Sequence, residues 1–294
     1  MKKLPVYQIS KFNCQANEND LYVNDFKTHL KKNAFIEHTH SHHFYLLVFF
    51  TKGSGLHAVD FTPYEIKPGT VYLLKPGQVH SWQLSEDIDG YIIFYSKEIY
   101  NLYFGKKKIE DYPFFNSSEN TPEIVLNSLQ INKITTYFNL LSEESRQNGL
   151  MKSDKLLNLI DLIHLELAGI YMTAGNHEMH PYHLKIKILE NLMAEHYKQH
   201  KLPSFYAGKM NISLKHLNRI CKHVLNTTVT DFIYGKILLE SKRLLANPEK
   251  TISETANELG FENHAYFTLV FKKYSGMTPQ QFKKSTAVLN AYFP

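Results

Sequence analysis

Two rhythms of apolar residues divide this chain. From Phe35 to about Tyr95, short runs rich in β-branched and aromatic residues alternate with turn signals: FYLLVFF (44–50), TVYLLKPGQ (70–78), HSWQLS (80–85) and GYIIFYS (90–96). Gly53-Ser54-Gly55 and the Pro-Gly pairs at 68–69 and 76–77 supply turns. Such spacing predicts a small all-β barrel or sandwich. Strand alternation sends Phe44, Leu46, Val48 and Phe50 to one face and Tyr45, Leu47 and Phe49 to the other. Ahead of this region the chain is mixed and polar, with a short strand expected within Val6–Phe12. Behind it, Lys106–Asn120 reads as a loop and its lysine triplet as a solvated surface run.

The period then lengthens to that of a helix. Ile124, Leu129, Ile134, Phe138 and Leu141 mark an amphipathic helix over Pro122–Ser145. A second, over Ser153–Ala174, carries Leu156, Leu159, Ile160, Ile163, Leu167 and Ile170. GNHEMHP (175–181), polar and ending in Pro, is the best linker. Leu184–His200 is the next helix, with Leu184, Ile188, Leu192 and Tyr197 as its expected buried stripe.

The last hundred residues contain one pattern twice. In TISETANELGFENHAYFTLVFKK (251–273), Thr251 and Glu254 have capping-box spacing, and Gly260 sits where the chain must turn with positive φ. Ala256, four residues earlier, is small enough for two helices to cross closely. Asn263 is placed to cap a second helix whose apolar positions are Phe267, Val270 and Phe271. Upstream, Ala207 is followed by Asn211, the next-best left-handed residue, and Ser213 is placed to cap a helix over Leu214–Leu225. Leu217 to His223 align with Phe267 to Lys273, the second turn being one residue longer: an internal repeat of two helix-turn-helix units. Between them Val229–Ala246 reads as one amphipathic helix stopped by Asn247-Pro248. Such a helix is about 27 Å long, a strut able to hold two recognition helices in major grooves about 34 Å apart.

Charge supports that reading. From Tyr182 onward there are 16 Lys and Arg against 8 Asp and Glu, a net of +8, which leaves −3 of the overall +5 on Met1–Pro181. A basic C-terminal region on a mildly acidic N-terminal one fits a nucleic-acid reader carried by a domain with another job. Two cysteines, Cys14 and Cys221, are too few for a disulfide framework and suit a reducing cytoplasm. Lys2 and Lys3 are not followed by an apolar stretch, so no signal peptide is expected. The longest apolar run, Phe44–Phe50, is far too short to span a membrane.

Tyr182–Lys284, and ELGFENHAYFTLVFKKYSGMTPQQFK above all, resembles the DNA-binding domain of the AraC/XylS family of bacterial transcription regulators. HTHSHHFYLLVFFTKGSG and YEIKPGTVYLLKPGQVHSW resemble the cupin-type sensor domain that precedes it in many members. The resemblance implies an α+β chain of two domains: an N-terminal cupin-like β-barrel followed by helices, and a C-terminal all-α domain with two helix-turn-helix units. The divisions are a sensor domain over 1–120, a helical dimerisation segment over 121–175, a linker over 176–182 and a DNA-binding domain over 183–288.

By that likeness Arg219 is a base contact, suited to guanine O6 and N7, with Lys215 and Asn218 beside it as readers or phosphate holders. His264, Ala265 and Thr268 occupy matching positions in the second unit. Lys222, Lys272 and Lys273 are expected on phosphates. The family commonly has Arg where this chain has Leu269, which puts guanine readout there in doubt and favours a thymine methyl.

In the barrel the candidate ligand residues are His40, His42, Tyr45, His80 and Trp82; the alternatives are that the histidines face solvent and that Trp82 is ordinary core. Metal-binding cupins add a Glu four residues after an H-x-H pair. Here Leu46 stands in its place, so no metal, cofactor or catalytic residue is expected, although three imidazoles also suit zinc, nickel or iron. The implied protein is a cytoplasmic, dimeric transcription regulator, an activator by family likeness. Its partners would be double-stranded DNA, a small-molecule effector (a sugar among the candidates) and RNA polymerase, with no membrane. The alternative is a metal-dependent cupin enzyme with a basic helical tail.

Overall fold

Every residue from Phe44 to Phe50 is buried, which explains why that run is continuously apolar: its strand has protein on both faces. The computed structural model describes residues 4–12, 21–33, 36, 38–116, 121–174 and 182–292. Contacts divide the chain into two compact units, Pro5–Asn176 and Met1–Leu4 with His177–Pro294. The linker expected at 175–181, and Cys14, lie outside the described residues.

The first unit contains β1 (Val6–Tyr7), β2 (Leu21–Asp25), α1 (Phe26–Lys32), β3 (Ser41–His42), β4 (Tyr45–Lys52), β5 (Gly55–Val59), β6 (Thr62–Ile66), β7 (Thr70–Leu74), β8 (His80–Leu84) and β9 (Asp89–Tyr95). It continues through α2 (Lys97–Phe104), α3 (Pro113–Asn116), β10 (Glu123–Val125), α4 (Ser128–Arg146) and α5 (Lys152–Ala174). One antiparallel sheet runs β10-β7-β4-β9-β2 and a second runs β6-β5-β8; β1 pairs with β3. A bridge between His40 and His80 joins the approach to β3 with β8.

Leu46, Val48 and Phe50 of β4 share one core with Tyr72, Ile92, Phe94 and, from the smaller sheet, Val59 and Trp82. The alternate residues Tyr45, Leu47 and Phe49 join Ile93 and Tyr95 in another, completed by Ile134, Phe138 and Leu141 of α4 and Ile160, Ile163 and Leu167 of α5. The expected alternation is therefore observed, with a helical layer covering the second face.

Several expectations are corrected. The helix expected from Pro122 begins only at Ser128. Before it, Glu123–Val125 adds an edge strand to β7, and Asn127 then caps the helix in a reciprocal box with Gln130. Helices α1 and α2 have no counterpart among the expected elements, and α3 falls inside the segment expected to be a loop, 106–120. Lys107 is not simply solvated: its Nζ lies 2.5 Å from Asp161 Oδ1 on α5, which also accepts from Tyr112 Oη at 2.5 Å and from Tyr100 Oη. Three donors on one carboxylate hold Asp161 below its ordinary pKa, against the opposing effect of burial. Helix α5 is, by length and composition, apolar enough over Lys152–Thr173 to cross a membrane, a longer candidate than Phe44–Phe50. In the structure its Ile160, Ile163 and Leu167 are core, and buried His164 accepts from Tyr95 Oη at 2.7 Å.

The second unit is helical: α6 (Tyr182–His196), α7 (Pro203–Lys209), α8 (Leu214–Leu225), α9 (Val229–Leu245), α10 (Ile252–Glu258), α11 (His264–Ser275) and α12 (Pro279–Tyr292). The buried stripe of α6 is Ile186, Leu189 and Met193, whereas Leu184 and Ile188 are exposed. Both sets recur at helical spacing, so period alone could not decide between two apolar faces.

The repeat is built from matching bonds. Ile212 N–H donates to Ala207 O at 3.1 Å, and Phe261 N–H to Ala256 O at 2.9 Å. Asn211 and Gly260 take the left-handed turn at φ 52° and 69°. Ser213 and Asn263 cap α8 and α11, and the Thr251–Glu254 box opens α10.

Candidate nucleic-acid interface and histidine cluster

Helices α8 and α11 bury the faces expected of them, Leu217, Ile220 and Cys221 in one and Phe267, Val270 and Phe271 in the other. The opposite face of α8 presents Lys215, Arg219 and Lys222 to solvent. Among the described residues none of the three makes an ion pair or hydrogen bond. They line an open groove of about 1140 Å³ with His223 and with Thr228 and Thr230 at the start of α9. A row of unpaired cations beside a helix N-terminus suits an anionic polymer.

Asn218 is placed differently from its neighbours. Its Oδ1 accepts from Val229 N–H at 3.1 Å and its Nδ2 donates to Leu214 O at 3.3 Å, so its carboxamide ties α8 to the first turn of α9. On α11, Ala265, Lys272 and Lys273 are exposed, His264 Nε2 pairs with Asn257 Oδ1 at 2.7 Å, and Thr268 Oγ1 donates to His264 O at 3.1 Å. Leu269 is 66% exposed and Tyr266 49%, an apolar stretch where α8 is cationic.

In the first unit the structure gathers four histidines. Ring centroids of His40 and His80 lie 4.2 Å apart, those of His42 and His80 5.1 Å, and His57 Nε2 lies 3.0 Å from His80 Nδ1. Trp82 stacks on His57 at 4.1 Å and 7°. Sequence reasoning missed His57. Its signal was alternation within LHAVDF, but the partner becomes visible only through the register that sets His57 opposite Trp82. His38 and His43 are exposed and stand apart from the cluster. Tyr45 is not brought to it either: on the other face of β4 it stacks with Tyr95 at 5.6 Å and meets Phe115 edge-on at 4.8 Å.

Burial keeps these imidazoles neutral, lowering His40 to about 4 and His42 to about 3, with His57 and His80 also well below the ordinary value. His40 and His42 donate Nδ1–H to the carbonyls of His38 and Phe44, each at 2.7 Å. Their Nε2 atoms are therefore acceptors. His42 Nε2, His57 Nδ1, His80 Nε2 and the donor Trp82 Nε1 are buried without a hydrogen-bond partner in the protein. Among the described residues no three His, Cys, Asp or Glu side chains are arranged to hold a metal ion.

Residues 206–285 match the helix-turn-helix domain model, and residues 27–160 match the AraC-like ligand binding domain. The chain belongs to the AraC family of transcription regulators. Its similarity extends through both units. It is 26% identical over 266 residues to the HTH-type transcriptional activator RhaR of Enterobacter sp. (strain 638), covering 86% of this chain and 88% of that one. The RhaR of Salmonella typhimurium is 26% identical over 259 residues with the same coverage. Among solved structures, ToxT from Vibrio cholerae O395 bound to (E)-4-(8-methylnaphthalen-1-yl)but-3-enoic acid aligns over 91% of this chain and 99% of that one, at 15% identity and a TM-score of 0.44. As an AraC-family regulator the chain couples a DNA-binding helical unit to a cupin-like ligand-binding β unit.

Proposed function

We propose that this AraC-family chain is a cytoplasmic, homodimeric transcription activator, without enzymatic activity, that recruits RNA polymerase to DNA held by α8 and α11. The observation that carries the reading is the free cationic face of α8. Arg219 reads guanine from the major groove, with Lys215 beside it and Lys222 on a phosphate. On α11, Ala265 and Leu269 suit thymine methyls, His264 and Thr268 the adjoining edges, and Lys272 and Lys273 phosphates. Relatives named as transcriptional activators support the sign of regulation. Exposed Leu140 and Leu165 on α4 and α5 support dimerisation there.

The effector is assigned to the cluster of His40, His42, His57, His80 and Trp82. Unpaired His42 Nε2 calls for a ligand group that donates a hydrogen bond and unpaired Trp82 Nε1 for one that accepts, and an aromatic wall suits a sugar-like ring. A hydroxylated neutral molecule both donates and accepts, whereas a carboxylate only accepts.

The test is titration of the full chain against DNA upstream of its own gene and scrambled DNA over a range of salt. Preference for particular sites, with affinity falling steeply as salt rises, supports the reading. Equal binding to scrambled DNA sinks it. For the effector, thermal shift against neutral polyols and carboxylates decides, because a ligand at 100-fold its dissociation constant adds about 2.7 kcal/mol.

A further inference from the structure

The apolar contacts of α9 with its neighbours are non-directional. Phe232, Ile233 and Ile237 of α9 and Phe267, Val270 and Phe271 of α11 resist separation, but greasy surfaces alone fix poorly how one helix is rotated against another. A directional brace lies over them. Tyr274 Oη, in the last turn of α11, donates to Asp231 Oδ1 at 3.1 Å, while Tyr266 Oη, in the first turn, lies 3.2 Å from Tyr234 Oη. Tyr234 and Tyr274 stack at 5.3 Å and 17°. Helix α11 is thus pinned to α9 at two points about 12 Å apart along its axis.

The same brace reaches the other recognition helix. Asp231 Oδ2 accepts from Thr228 Oγ1 at 2.6 Å, Thr228 caps α9, and the next residue, Val229, gives its N–H to Asn218 of α8. A continuous path of hydrogen bonds and one ring stack therefore runs from α8, through the first turns of α9, to both ends of α11. Hydrogen bonds this exposed add little to stability, each about 1 kcal/mol or less. What they specify is angle.

We infer that Asp231, Tyr234, Tyr266 and Tyr274 are positioning residues for DNA binding: they fix the second recognition helix relative to the first and so set which spacing of two DNA subsites the protein accepts. The inference rests on the DNA-binding reading above. Major grooves recur at about 34 Å, and adding one base pair moves a subsite by about 3.4 Å and turns it about the duplex axis. A rigid pair of helices should reject that change, and an unbraced pair should accommodate it.

The experiment selects preferred DNA from a random pool with the full wild-type chain. It then inserts or deletes one base pair between the two subsites and titrates wild type, Tyr234→Phe, Tyr274→Phe and the double variant. Phenylalanine keeps the rings and removes the hydroxyls, and circular dichroism with thermal melting checks folding. Wild type should lose about 10-fold or more in affinity on respacing, one base-pair step of error being comparable to one mismatched contact. The double variant should lose only about 3-fold, on the best site binding within about 5-fold of wild type and with an unchanged salt slope. Equal losses at every spacing, with wild-type discrimination retained, would overturn the inference, as would a wild type indifferent to spacing. If wild type enriches no sequence at all, the DNA-binding reading fails first. Asp231→Asn provides an independent arm: it keeps an acceptor for Tyr274, and it should therefore preserve spacing discrimination better than Tyr274→Phe.

Discussion

The two helix-turn-helix halves reach one backbone by different residues and then present different chemistry on it. At the turn, Asn211 suffices in the first half, whereas a Cβ on Gly260 in the second would lie 1.9 Å from the carbonyl oxygen of Lys198. After the recognition helix, Asn226 and Gly276 both take positive φ, at 52° and 80°. The following helix then opens with Val229 in one half and Pro279 in the other. Val229 has an N–H, and Asn218 satisfies it. Pro279 has none, which leaves Thr268, at the position matching Asn218, without that duty. On the outward face Lys215 and Arg219 correspond to Ala265 and Leu269. Conformation is shared between the halves; the means of recognition is not.

That contrast can be broken or sharpened in order of effect. Acid comes first, because the halves must be compared while the histidine-bearing unit is intact. The unfolded chain protonates its histidines near pH 6.5, but folded His40 and His42 resist protonation down to about 4 and about 3. Below pH 6.5 the unfolded state binds more protons, so stability is complete above that value and falls as pH drops towards the folded values. The slope is at most about 1.4 kcal/mol per pH unit for each such histidine. Thermal melts of the full chain between about pH 7.5 and about pH 4.5 should show a marked fall; a flat profile would mean that the imidazoles are not held neutral.

Next is the turn. Gly260→Ala should destabilise the helical unit by about 2–5 kcal/mol, combining left-handed strain with a backbone clash. Asn211→Gly should stay within about 1 kcal/mol. Urea unfolding followed by helix content compares them, and equal costs would refute the account of why only one half needs glycine. On DNA, Arg219→Ala should cost about 1–3 kcal/mol and relax choice at one base pair. Leu269→Arg should steepen the salt dependence by about one phosphate's worth if the new cation meets the backbone, or create a guanine preference if it meets a base; binding unchanged in both respects would remove α11 from the interface. The smallest effect concerns Asn218. Its replacement by Ala should cost about 1 kcal/mol in stability, and that cost should vanish in a Val229→Pro background, measured as a double-mutant cycle.

Much of this was legible because local chemistry announces itself. Ser213, Asn263 and the Thr251–Glu254 pair each cap the helix their spacing indicates, and the alternation through Phe44–Phe50 survives intact. What escaped depends on residues far apart in sequence. His57 acquires meaning only when β5 registers against β8, and Asn218 only when α9 folds back to offer it an N–H. Tyr45, expected beside the histidines, lies against Tyr95 and Phe115 on the other face of β4, as its own alternation requires. The edge strand Glu123–Val125 is too short to show a period, and Lys107 finds Asp161 across 54 residues.

Strand β4 is a party wall between two rooms. Leu46, on one side, touches the core that holds Trp82, and Leu47, its chain neighbour, touches the one that holds α4 and α5. Peptide units hold consecutive Cα atoms about 3.8 Å apart and do not stretch. With close packing on both sides, the wall cannot bow into one room without bulging from the other. Whatever crowds the histidine side is therefore felt by the helices, with no separate messenger required.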